Sequence, residues 1–169
     1  IVAGVISSSL QVKTIGIHQK AGQFAYISVF LFFPFWTEAM HMNANHMRDA
    51  IAVIASGAYA YSAYLAYNSI SSNKNYRVAL LYILLAALLF SLTASSYQPY
   101  IFMGAIAYIL GMINSYLSKR ATVKELAYHL AILTCVVVIG IVFYVVEVSI
   151  SQFIFGVSSL PEGDPRSLT

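Results

Sequence analysis

The stretch VALLYILLAALLFSLTA, residues 78–94, decides the fold of this chain. It contains no Asp, Glu, Lys or Arg, and its length reaches the roughly 17–25 residues that a helix needs to cross a hydrocarbon core. Two further runs, Tyr97–Leu117 and Leu126–Val146, also lack those four residues, although His129 lies inside the second. Only 9% of the 169 residues are charged and 60% are hydrophobic, with a mean hydropathy of +0.77. A water-soluble domain carries about 25% charged residues, so water is not the main solvent for this chain. Lipid cannot satisfy open backbone groups, and no segment alternates as a barrel strand does, so the spans are helices. The expected architecture is all-α, a polytopic transmembrane helix bundle.

The charges that remain mark alternate ends of the apolar runs. Lys13 and Lys20 precede an apolar run over 21–36; Lys74 and Arg77 precede the run over 78–94; Lys119, Arg120 and Lys124 precede the last. In the segments between, Glu38 and Asp49 nearly balance Arg48, and 95–100 carries no charge. After Val146 come Glu147, Glu162, Asp164 and Arg166, a net negative set. Excess Lys and Arg mark cytoplasmic loops, which predicts spans over about 21–36, 50–67, 78–94, 99–117 and 126–146, the first leading outwards. About five spans follow, with a possible partial sixth at the N-terminus before Gln11.

The start at Ile1 without Met and the polar end at Thr169 suggest a piece of a longer protein. Residues 1–157 read as the transmembrane region, and 158–169, with Pro161, Gly163 and Pro165, as the irregular start of an outer, periplasmic region. Ile1–Leu10 is too short to span and has no basic n-region, so it does not read as a signal peptide. The net charge of +3 is spread over short loops without a basic stripe, which excludes a nucleic-acid partner.

Within the helices, Pro34 should end or kink the first span, and Pro99 fits the first turn of the fourth, where its missing N–H costs nothing. Gly104, Ala105, Ala107 and Gly111 offer that helix a close approach to a neighbour. Tyr64 and Tyr67 suit an interfacial belt, whereas Tyr59 and Tyr61 lie deeper and should bond between helices. Asn114 should also bond to a neighbouring helix, and Cys135 reads as a small buried hydrophobe.

Polar residues suited to chemistry gather on the expected outer face. The segment 36–49 holds Trp36, Glu38, His41, His46 and Arg48. A divalent metal there is a lesser possibility, since His41 and His46 are not the four residues apart that a zincin helix requires. Otherwise no cofactor is expected. Sugar hydroxyls call for a carboxylate beside an aromatic platform, and Trp36 with Glu38 supplies one. Tyr97 and Gln98 occupy a second, uncharged outer turn. Glu147 reads as a snorkelling residue at the end of the last span, and His129, about one turn inside its other end, as a neutral hydrogen-bonded imidazole. No phosphate-binding loop, nucleophile elbow or dinucleotide fingerprint is present.

The order of these features, FPFWTE at 33–38, a helix of Ala and Tyr, a basic loop, an apolar helix running into SSYQPY at 95–100, and a last span passing into an outer segment over 147–156, resembles the middle of the bacterial glucosyltransferase Gtr type II family. The resemblance covers most of residues 25–157. It implies a GT-C-like membrane glycosyltransferase of the bacterial cytoplasmic (inner) membrane, acting in modification of O-antigen or related surface polysaccharides. Its partners would be membrane lipid, a polyprenyl-phosphate-linked sugar and a polysaccharide acceptor. The substrate-binding residues would be Trp36, Glu38, His41, Arg48, Tyr97 and Gln98, with Arg48 the cation for the leaving phosphate and the catalytic carboxylate not among them. A non-catalytic membrane subunit or assembly factor is the competing expectation. A lipid flippase or transporter is less consistent, because the spans carry no midplane charge or helix break.

Overall fold

The computed structural model describes residues 2–32, 46–72, 74–96, 99–118 and 122–155. Six helices account for almost all of them: α1 (Val2–Ile15), α2 (Lys20–Phe32), α3 (His46–Ser71), α4 (Tyr76–Ser96), α5 (Pro99–Leu117) and α6 (Val123–Phe155). The expected helical bundle is therefore present, with no strand among the described residues.

Local sequence sets most helix ends. α1 stops at Gly16, whose φ of 78° is open to glycine, while the N–H groups of Gly16 and Ile17 donate to the Val12 carbonyl at 3.1 and 3.2 Å. The turn between α3 and α4 closes through Asn75 N–H donating to the Ser69 carbonyl at 2.9 Å, with Lys74 at φ 49°. The Asn75 side chain then accepts from Val78 N–H at 3.3 Å and caps α4. Pro99 opens α5, as expected. α6 opens on a capping box: Glu125 Oε2 accepts from Thr122 N–H at 2.6 Å, and Thr122 Oγ1 accepts from Glu125 N–H at 3.4 Å.

α3 is the central column. It packs against α1, α4, α5 and α6, and its alanines Ala52, Ala55, Ala60, Ala63 and Ala66 are all buried. Small side chains let the neighbours approach. The principal core joins Tyr59, Ala63 and Ala66 of α3 to Ala86 and Phe90 of α4, Tyr108 of α5, and Ile132 and Val136 of α6.

Glycines make the closest crossings, because added side-chain atoms would meet backbone or ring atoms. Gly57 faces Ser7 of α1, Gly104 faces the Ser56 carbonyl and Tyr59, Gly111 faces the Thr14 carbonyl, and Gly140 faces Phe90. The small residues expected to seat the fourth span do seat it, against α3 and α1.

Among the described residues four helices are long and apolar enough to cross a membrane: Asp49–Ser71, Tyr76–Ser96, Tyr100–Leu117 and Val123–Ile154. Of the expected first span, 21–36, the described part ends at Phe32, and α2 at about 20 Å is shorter than a hydrocarbon core. Pro34 lies outside the described residues. Leu81, Leu88, Phe102, Ile106, Val138, Val142 and Val145 project outward, where lipid would cover them.

Three expectations need correction. The N-terminal segment, expected as a possible partial span before Gln11, is a helix that runs on to Ile15, with Ser7, Ser8, Gln11 and Thr14 all buried. α6 begins before Leu126 and continues past Val146 to Phe155, so the first described part of the supposed outer segment 147–156 is helix. Cys135 is exposed on the outer face of α6 rather than buried. A helix with apolar residues on every side gives no sequence sign of which face turns inward.

Candidate functional site

Five of the six residues expected to bind substrate, Trp36, Glu38, His41, Tyr97 and Gln98, lie outside the described residues. Arg48 falls in the first turn of α3. The described segments flanking them do meet. Tyr100, in the first turn of α5, is buried against Ala52 and Val53, one turn into α3 beyond Arg48. The start of α3 and the junction between α4 and α5 therefore share one end of the bundle. At that end one Asp49 carboxylate oxygen is buried without a hydrogen-bond partner among the described residues.

Glu147 belongs to this end and is exposed, as a snorkelling residue would be. Its Oε2 accepts a hydrogen bond from the Ser91 hydroxyl of α4 at 3.1 Å. Together with Leu88, Leu92, Phe143, Val146, Ile150 and a third polar residue, Ser151, they line an open groove of about 380 Å³ between α4 and α6. Ser91 is buried. Sequence alone did not single it out, since one Ser in an apolar run gives no hint that a carboxylate from a distant helix will meet it.

The opposite end holds the basic residues and a buried imidazole. His129 of α6 is 2% exposed and stacks on Tyr67 of α3, ring centroids 3.6 Å apart and 21° from parallel. Its Nδ1 lies 2.9 Å from the Tyr108 hydroxyl of α5, and its Nε2 is buried with no partner among the described residues. The expected hydrogen-bonded imidazole is thus found, joining three helices. Tyr67, expected in an interfacial belt, is partly buried and stacks on this imidazole.

Nearby, Asn114 Nδ2 donates to the Ile15 carbonyl at 2.8 Å, the expected bond to a neighbouring helix. Tyr59 hydroxyl donates to the Ile101 carbonyl, again between helices. Tyr61 instead takes the Lys13 ammonium over its ring at 5.8 Å. A polar seam runs along α1, where Tyr26 of α2 donates to Gln11 Oε1 at 2.7 Å.

Among the described residues no group of three or more His, Cys, Asp or Glu side chains could hold a metal ion. The metal expectation rested on Glu38, His41 and His46; Glu38 and His41 lie outside the described residues, and His46 opens α3. Comparison of the chain with models of protein families, with characterised proteins and with solved structures gave no match.

Proposed function

We propose that the protein is a membrane glycosyltransferase that moves a hexose, glucose in the simplest case, from a polyprenyl-phosphate carrier to a surface polysaccharide at the outer leaflet. The observation that carries this reading is the packing of Tyr100 on Ala52 and Val53. It brings the first turn of α3, with Arg48, to the same end of the bundle as the helix ends that bracket Tyr97 and Gln98. The basic residues Lys74 and Arg77 sit at the far end of α3 and α4, which supports an outward-facing site under the positive-inside rule.

In this reaction the oxygen of an acceptor hydroxyl attacks the anomeric carbon, and the bond from that carbon to the carrier phosphate breaks. A carboxylate takes the hydroxyl proton as general base. Arg48 balances the charge of the departing phosphate, an interaction that favours guanidinium. Glu38, Gln98 and the Trp36 ring hold the sugar hydroxyls and ring face.

The test is transfer from a polyprenyl-phosphate sugar in membranes containing the full-length protein. Glu38→Gln and Gln98→Ala should each lower transfer at unchanged membrane levels, by about tenfold or more for the loss of a hydrogen bond to a charged or polar partner. Unchanged transfer in both variants removes the site and leaves the non-catalytic subunit reading.

A further inference from the structure

Glu147 is a carboxylate in a groove that opens toward lipid. The residues lining the groove include no Lys, Arg or His, and the hydrogen bond from Ser91 is a single neutral donor to a group able to accept about four. A carboxylate in an apolar setting needs further donors, best of all a cationic one. No cation among the described residues supplies it.

Depth says what could. Glu147 lies 24 residues beyond the start of α6 at Val123, about 36 Å along the axis, so it reaches headgroup level when Val123 starts near the opposite interface of a core roughly 30 Å thick. Ser91 lies five residues, about 8 Å, before the end of α4 at Ser96, so the bonded pair sits at the inner edge of the headgroup region. Leu88 and Phe143 continue the groove one turn deeper, at the depth of acyl chains. Leu88, Leu92, Val146 and Ile150 are each exposed to between 40% and 53%, so the walls remain open to a lipid chain from the side.

We propose that this groove is a binding site for a phospholipid with a primary ammonium headgroup, of the phosphatidylethanolamine class. The ammonium donates to Glu147, the Ser151 hydroxyl is available to the phosphate, and one acyl chain lies along Leu88 and Phe143. A choline headgroup offers no N–H donor, and an anionic glycerol headgroup meets the carboxylate with like charge. The site is independent of glycosyl transfer.

The full chain, purified in detergent, would be titrated with phosphatidylethanolamine, phosphatidylcholine or phosphatidylglycerol and scored by lipid retention in native mass spectrometry. Retention should favour phosphatidylethanolamine, and Glu147→Gln should weaken it about tenfold, the worth of one charge-assisted hydrogen bond. Equal retention of the three lipids, or an unchanged preference in Glu147→Gln, overturns the proposal. Should Glu147→Gln fail to fold, Leu88→Trp decides the matter, because it fills the groove from an exposed position and keeps the carboxylate. Phosphatidylethanolamine preference lost in Leu88→Trp supports the site, and preference retained there overturns it.

Discussion

The Tyr108 hydroxyl is the sole hydrogen-bond partner of the His129 ring in the described structure, since Nε2 is buried without one. Removing that hydroxyl leaves both imidazole nitrogens unsatisfied. Tyr108→Phe should therefore cost about 1–3 kcal/mol, the penalty for a buried polar atom without a partner, read as a lower thermal midpoint in detergent. His129→Phe keeps the stack on Tyr67 but takes the ring partner from the buried Tyr108 hydroxyl, which keeps only the His129 carbonyl at 3.5 Å, so it should cost a similar amount. In the double variant the loss should be smaller than the sum of the two, because the pair acts as a unit; strict additivity would refute the coupling. Much at this scale was legible from sequence: a polar side chain in an apolar helix must find a partner, which foretold the bonds of Tyr59, Asn114 and His129. What could not be read was direction. Tyr67 and Cys135 lie on helices where apolar residues occur all round, so neither the inward turn of one nor the outward turn of the other had a pattern to reveal it.

Helix ends and crossings are where the elements differ from their expected form. Three charge-free runs located α4, α5 and most of α6, because a hydrocarbon core admits few charges. The start of α6 was misplaced because Lys124 and Glu125 looked like loop, although Thr122-x-x-Glu125 is a capping box written in the sequence. Glu125→Ala should cost about 0.5–2 kcal/mol by loss of the cap, whereas Glu125→Gln, which can still accept from the Thr122 N–H, should cost less. Thermal unfolding of the two variants in detergent separates them. Crossings set a sharper test. A Cβ on Gly111 would meet the Thr14 carbonyl, and backbone cannot move aside as a flexible side chain can. Gly111→Ala should destabilise by about 1–3 kcal/mol through overpacking. At Gly16 the nearest atom to an added Cβ is Asn114 Nδ2 at 3.6 Å, so Gly16→Ala meets no clash and suffers only from its positive φ, at about 1 kcal/mol or less. If Gly16→Ala proved the worse of the two by thermal unfolding, close approach of α1 and α5 would not be what Gly111 secures.

At the scale of the whole molecule, the bundle has two ends of different chemistry. One end carries Lys74 and Arg77 and, through the stack of Tyr67 on His129, the start of α6 with Lys124. The other carries Ser96, Pro99 and Glu147, with no Lys among its described residues. The candidate site was legible in sequence only as a location: alternating charge tells which turns share a side, but Ser91 meeting Glu147 depends on how two helices separated by a third are brought together. Orientation is open to direct measurement. In a Cys135→Ala background, Ser95→Cys at the end of α4 should react with a membrane-impermeant maleimide on intact cells, and Lys74→Cys only after permeabilisation. The reverse pattern would put Arg48, Tyr97 and Gln98 in the cytoplasm, away from a donor presented at the outer leaflet, and the glycosyltransferase reading would fall. The ammonium site at Glu147 would not fall with it, since its chemistry asks for a headgroup at the right depth and not for a particular leaflet.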